Sequence, residues 1–248
     1  MVIRYFDIGT TPCKAYMPTE GIAEHAVLAV HGFGGSKESA TYSMLAQALC
    51  PEGIAVYCFD FPAHGANPLG GEAFTVEACA DALLAVARYV HGEHPARAGV
   101  FATSFGGFMA LRCMDGLADA LGNFALVLKA PAVKMDETFE RVILEGRRDL
   151  FEAQGFVELD YARPIEVHQA YLDGLKAQSV CVPNGKPMLV IHGDADTVVT
   201  PAHIAEFMEC NPFAELARIP GADHEFDGEG QLDMLVQAAR EYFCEMLF

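Results

Sequence analysis

Gly99-Val100-Phe101-Ala102-Thr103-Ser104-Phe105-Gly106-Gly107-Phe108 runs from a strand signal, through a turn, into a helical signal. Its first residues are short-spaced and apolar, as in a strand buried on both faces. Phe108, Leu111 and Met114 then recur at helical spacing, so the chain changes period within a few residues of Ser104. A turn this sharp would lift the serine hydroxyl above the carboxyl end of the strand. Gly106 and Gly107 would let the following helix pack closely, and its first N–H groups would point at the same place.

The same alternation recurs on either side. Ala26 to Val30, Ala55 to Phe59, Phe124 to Leu128 and Pro187 to Ile191 are apolar runs of strand length bounded by turn residues, and Glu215 to Ile219 precedes another turn. Between them, Tyr42, Leu45, Ala46 and Leu49 form a helical stripe, as do Val76, Cys79, Ala80, Leu83, Ala87 and Val90. A final stripe runs from Leu232 to Met246. Strands alternating with helices specify an α/β fold with a mostly parallel sheet flanked by helices. Ile3 to Asp7 and Cys13 to Met17, separated by Gly9-Thr10-Thr11-Pro12, read as an antiparallel hairpin at one edge. Residues 131–186 interrupt the alternation and are expected to form a cap insertion over the carboxyl edge of the sheet.

The chain has 248 residues, 52% of them hydrophobic, enough for one large core and hence a single domain over 1–248. Its 34 acidic against 16 basic side chains give a formal charge of −18, which repels phosphate backbones and anionic lipid surfaces. Neither a nucleic-acid nor a membrane partner is expected, and no apolar run has the length of a membrane span or an export signal. The 8 cysteines are scattered without a C-x-x-C pair, which suits reduced thiols in a cytoplasmic protein. A homodimer stays open.

In open parallel sheets, the loops after the strand carboxyl ends line the ligand crevice. Besides the Ser104 turn, one such loop reads Ile191-His192-Gly193-Asp194-Ala195-Asp196 and offers two carboxylates. Another reads Pro220-Gly221-Ala222-Asp223-His224 and offers a histidine. A serine hydroxyl is a weak nucleophile until a base takes its proton; imidazole titrates near neutrality, and a carboxylate fixes its tautomer. Serine, aspartate and histidine thus follow three different strands in the order of a Ser-Asp-His triad. The glycine-rich loop Val30-His31-Gly32-Phe33-Gly34-Gly35 can turn N–H groups toward the same point, with Phe33 and Phe105 as backbone donors for an oxyanion. It lacks the Lys-Ser/Thr ending of a phosphate-binding loop, and no H-E-x-x-H spacing occurs, so neither metal nor organic cofactor is expected.

His31 to Gly35, Asp60-Phe61-Pro62-Ala63-His64-Gly65, the Ser104 turn, His192 to Asp196, and Asp223-His224 together resemble the α/β-hydrolase family. The likeness spans nearly the whole chain, departing from the usual G-x-S-x-G turn only in Ala102. It implies Ser104 as nucleophile, His224 as base and Asp196 as the acid, leaving Asp194 to cap its loop. It also implies that His31 and Asp60 shape the oxyanion loop, while His64 is a turn residue. Chain length, the opening hairpin and the insertion are similar to bacterial carboxylesterases of the cinnamoyl/feruloyl type. The expected substrate is therefore a small-molecule ester, bulky or aromatic, cleaved through an acyl-enzyme. Phe139, Phe151, Phe156, Tyr161 and Tyr171 in the insertion would contact it, although aromatics there could equally glue the insertion to the core. Thioesterase, amidase or peptidase, and carbon–carbon hydrolase chemistries share the fold, as does a non-catalytic ligand-binding protein.

Overall fold

The computed structural model describes residues 1–19, 23–94 and 96–248. Strands β1 (Val2–Ile8), β2 (Thr11–Met17), β3 (His25–Val30), β4 (Ile54–Phe59), β5 (Ala98–Thr103), β6 (Ala125–Lys129), β9 (Met188–Gly193) and β10 (Ala214–Ile219) form one sheet, while β7 (Phe156–Leu159) and β8 (Ile165–His168) form a separate ribbon. The helices are α1 (Ala40–Leu49), α2 (Val76–Glu93), α3 (Phe105–Arg112), α4 (Met114–Leu121), α5 (Met135–Thr138), α6 (Arg148–Gln154), α7 (Gln169–Lys176), α8 (Pro201–Cys210) and α9 (Gln231–Leu247).

The eight-stranded sheet has the order β1-β2-β4-β3-β5-β6-β9-β10. β2 is antiparallel to both of its neighbours, and all pairings from β4 onward are parallel. The expected hairpin closes over Gly9-Thr10 alone, since Thr11 and Pro12 already belong to β2; Gly9 supplies the positive φ of 60°.

Alternation along the strands divides the core in two. Ala26, Leu28 and Val30 of β3 face the layer that contains α2 and α3, and Val27 and Ala29 face α1 and α9. Gly99 in β5 is needed where α9 crosses, because a Cβ there would lie 2.6 Å from the Phe243 ring. Thr75 caps α2 by accepting the Ala78 N–H, and Thr200 caps α8 by accepting that of His203, ahead of Pro201 in the first helical position. The helix expected from Phe108 through Met114 is in fact two, α3 and α4, divided at Cys113. No glycine or proline marks that break.

The chain winds outward from β3 to β4 and then crosses back to β5, so the carboxyl ends of β3 and β5 lie side by side where the winding reverses. Loops leaving these neighbours diverge and open a crevice. Residues 131–186 contain α5, a π-helical turn at Phe139–Ile143, α6, the β7–β8 ribbon and α7. The ribbon was not anticipated, although Phe156-Val157-Glu158-Leu159 alternates in burial as half-buried strands do. Among the described residues no helix is long and apolar enough to cross a membrane.

Gly106 fixes how closely α3 approaches β3: a Cβ would lie 2.5 Å from the Val30 carbonyl oxygen and 2.6 Å from that of His31. Backbone cannot yield as a side-chain tip can. Gly106→Ala is therefore expected to destabilise by more than about 2 kcal/mol in urea unfolding, a loss in the range of core overpacking. Gly92→Ala, in open space near the end of α2, is expected to be neutral or to stabilise by up to about 1 kcal/mol.

Candidate active site

Ser104 occupies the turn between β5 and α3 at φ 50°, ψ −114°, backbone that residues other than glycine rarely adopt. Its N–H donates to the Lys129 carbonyl at 2.9 Å, and its carbonyl accepts from Ala132 at 3.0 Å and Phe108 at 3.1 Å. These contacts hold the turn, and the hydroxyl projects into a cavity of about 410 Å³ above the sheet.

His224 Nε2 lies 2.9 Å from Ser104 Oγ, and His224 Nδ1 lies 2.7 Å from Asp196 Oδ2. The Asp196 side chain is fully buried. Its Oδ1 accepts the N–H groups of Val198 and Val199, each at 2.8 Å, and His192 Nε2 stands 3.3 Å from Oδ2. Burial alone would raise the pKa of this carboxyl. The hydrogen bonds from His192 and His224 outweigh it and hold Asp196 well below the usual carboxylate range. Asp194 is exposed and does not reach His224; its Oδ1 accepts the Gly221 N–H at 2.6 Å. The expected roles are thus modified: Asp196 caps its own loop as well as meeting the histidine, and Asp194 ties that loop to the one before His224.

The loop after β3 backs directly onto the serine, since a Cβ on Gly32 would lie 3.2 Å from Ser104 Cβ. His31 pins it, with Nδ1 bonded to the Gly32 carbonyl at 2.7 Å and Nε2 accepting the Phe61 N–H at 3.0 Å. Asp60, fully buried, accepts from Lys37 N, Lys37 Nζ and Ala66 N at 2.7, 2.6 and 2.8 Å. His64 bonds its own turn through Nδ1 to the Pro62 carbonyl at 2.9 Å. Among the described residues the backbone N–H groups of Phe33 and Phe105 have no acceptor.

Of the five insertion aromatics, only Tyr161 reaches the cavity wall. Phe139, Phe151 and Tyr171 are buried, and Phe156 stacks on His168 at 5.5 Å between centroids. Tyr171 stacks on Phe74 at 4.3 Å, and the Phe33 ring meets Phe139, Tyr161 and Tyr171 at 6.3, 5.4 and 6.0 Å. These rings bind the inserted segment to the oxyanion loop, which puts Phe139, Phe151, Phe156 and Tyr171 away from the cavity they were expected to line and leaves Tyr161 on its wall: a segment of this size needs a core of its own, and its largest apolar side chains supply it. The apolar wall is built instead by Met135, Val142, Ile143 and Val198. Tyr42, Thr103 and Lys129 also line the cavity. The available signal for Lys129 was a lysine ending an otherwise apolar strand run.

Residues 27–239 match the Alpha/beta hydrolase family. The chain belongs to that family. No curated protein sequence matches it significantly. Among solved structures of this hydrolase fold, Est1E from Butyrivibrio proteoclasticus with ferulic acid bound superposes with a TM-score of 0.81 at 24% identity, covering 98% of each chain. A putative hydrolase from Agrobacterium vitis S4 gives 0.77 at 19% identity, covering 97% of each. XC6422 from Xanthomonas campestris, described as an a/b serine hydrolase without lid, gives 0.66 at 23% identity, covering 99% of this chain and 94% of its own. At these identities the likeness is one of fold.

Two buried histidines of the site give it a pH signature. Burial pushes His31 down to about 4 and His64 down to about 3. Unfolded, both would protonate near the ordinary value of about 6.5. As pH falls below that value the unfolded chain binds protons that the folded one refuses, so their contribution is intact above about pH 6.5 and is lost progressively down to about 4 for His31 and about 3 for His64. Urea midpoints are expected to fall between pH 7 and 4.5. His64→Gln should flatten that slope whatever its absolute stability, and an unchanged slope would contradict the burial argument.

Proposed function

We propose that this α/β hydrolase is a serine carboxylesterase acting through Ser104, His224 and Asp196. The observation that carries the reading is His224, whose two ring nitrogens bridge Ser104 Oγ at 2.9 Å and Asp196 at 2.7 Å. Asp196 holds the tautomer with a proton on Nδ1, leaving the Nε2 lone pair facing the hydroxyl. Ser104 Oγ attacks the ester carbonyl as its proton passes to Nε2. The carbonyl oxygen becomes an oxyanion held by the N–H groups of Phe33 and Phe105. The tetrahedral adduct collapses, Nε2 protonates the departing alkoxide, and the acyl group remains on Ser104. Water then attacks the acyl carbon, gives its proton to Nε2, and the acid leaves as that proton returns to Ser104 Oγ.

The inserted segment acts as the cap that selects the acyl group. Met135, Val142, Ile143 and Tyr161 give the cavity an apolar side suited to a bulky or aromatic acyl chain. Est1E, whose structure holds ferulic acid, lends support by fold.

Ser104→Ala should remain folded and lose several orders of magnitude of turnover on an aryl ester such as a feruloyl methyl ester, together with covalent labelling by a fluorophosphonate. A folded wild-type protein that neither turns over esters nor takes the label would instead be a binding protein. Asp196→Asn should be crippled and Asp194→Asn much less affected, and the reverse ranking would move the acid to Asp194.

Tyr161→Ala is expected to change the ratio of kcat/KM between aromatic and short aliphatic esters by about tenfold, or 1.4 kcal/mol of differential binding. Phe139→Ala should lower thermal stability and leave that ratio alone. Equal ratios in both variants would leave the whole cap as packing.

A further inference from the structure

Lys129 ends β6, its backbone carbonyl accepting the Ser104 N–H at 2.9 Å. The side chain is 3% exposed, yet it lines the catalytic cavity. Its Nζ donates to the Glu225 carbonyl at 3.3 Å and lies 4.9 Å from the centroid of the Phe226 ring. It forms no direct ion pair among the described residues. A buried ammonium with one neutral acceptor and an aromatic face is unfavourable unless the surrounding field compensates it.

That field comes from the loop of the base. Asp223, Glu225 and Asp227 flank His224, and Asp196 meets its ring. Burial pushes the Lys129 ammonium below its ordinary value, while these four carboxylates pull it back up. The same carboxylates stand around the imidazole that gains and loses a proton in the proposed chemistry. His192 faces Asp196 from β9, and Arg141 of the inserted segment donates to the Thr197 and Val198 carbonyls at 3.0 and 2.6 Å from an exposed position, where water screens it as it screens the exposed Asp223, Glu225 and Asp227 and leaves Asp196 as the buried carboxylate of the four. Lys129 is therefore the buried cation set against the four carboxylates. It also sits at a strained junction, since Ala130 follows it at φ 42° and Phe226 beneath it has φ 64°.

We propose that Lys129 is a positioning residue for His224: it ties the base's loop to the nucleophile's turn and opposes the carboxylates that would hold the imidazole protonated. The inference deepens the serine-esterase reading and rests on it for its kinetic consequence. Its electrostatic part concerns one ring and can be read without turnover.

The test compares wild type, Lys129→Met, Lys129→Arg and Asp227→Asn. The titration of the His224 ring is followed by proton–carbon NMR, assigned with His224→Gln, and kcat/KM for p-nitrophenyl acetate is measured from pH 5 to 9. Removing a cation favours imidazolium, so in Lys129→Met the NMR midpoint and the acid limb should both move to higher pH by about half a unit to one unit. The rate deficit should then be largest at pH 5 to 6 and shrink toward pH 8. Lys129→Arg should restore most of the midpoint, and Asp227→Asn, on an exposed residue, should move it the opposite way. An unmoved midpoint in Lys129→Met overturns the proposal, even if the rate falls evenly at every pH, because that is the mark of packing alone. If Lys129→Met does not fold, Lys129→Gln, which removes the charge and keeps a polar end, takes its place, and an unmoved midpoint there overturns the proposal. Absence of turnover and of fluorophosphonate labelling in the wild type would defeat the esterase reading, and the NMR midpoints would still decide the role of Lys129.

Discussion

The backbone of Ser104 is the constraint on which the rest of the site depends. A left-handed φ of 50° at a serine stores on the order of 1–3 kcal/mol, and it persists only because its neighbours leave the turn no alternative. The end of β6 takes the Ser104 N–H, Ala132 and Phe108 donate to its carbonyl, and Gly106 is pressed onto the carbonyls that end β3. Three adjacent strands thus converge on one residue at the point where the sheet reverses its winding. Relaxing the turn would move Oγ out of reach of His224 and shift the first N–H groups of α3, so strain and preorganisation are the same feature here.

The inserted segment has a comparable division of labour. Its rings do not mainly face the cavity; they pack on Phe33 and Phe74 and so brace the loop that backs the serine. Arg163 adds hydrogen bonds to the carbonyls of Gly65, Asn67 and Leu69, and Arg141 reaches the loop that carries Asp196. Gly34 has to be glycine on two counts, a φ of 74° and the Tyr161 ring lying where a Cβ would sit. The segment that would choose the substrate is therefore mechanically joined to two loops that would take part in the chemistry, those of Phe33 and Asp196, and to the loop after β4 beside them.

Period and punctuation made the sheet legible. Continuous apolar runs gave the buried strands, and each residue of the proposed triad stood just past such a run, where a parallel sheet gathers its loops. Choosing Asp196 over Asp194 needed the family likeness, because two carboxylates one residue apart look alike until the backbone N–H groups of Val198 and Val199 and the His224 ring are in place. Lys129 and Tyr42 were hidden for a different reason. Lys129 ends a strand whose other residues are buried and Tyr42 belongs to the buried stripe of α1, and only the three-dimensional arrangement of these elements puts the two on the cavity wall. Four of the five insertion aromatics, all but Tyr161, lie away from the cavity, because size and apolarity identify what is buried without saying against what.

Two of the three buried lysines among the described residues of so acidic a chain acquire meaning from where they lie. With 34 acidic against 16 basic side chains, long-range attraction to a cation is abundant at the surface, where it contributes little. Lys37 and Lys129 are instead desolvated on either side of Ser104. Lys37 closes on Asp60 at 2.6 Å and so joins the loop after β3 to the end of β4. Lys129 joins the end of β6 to the loop of His224 without a carboxylate in contact. A direct ion pair would neutralise its charge locally. Left with a carbonyl and a ring, the ammonium keeps its charge unneutralised beside the loop that carries the base of the proposed chemistry.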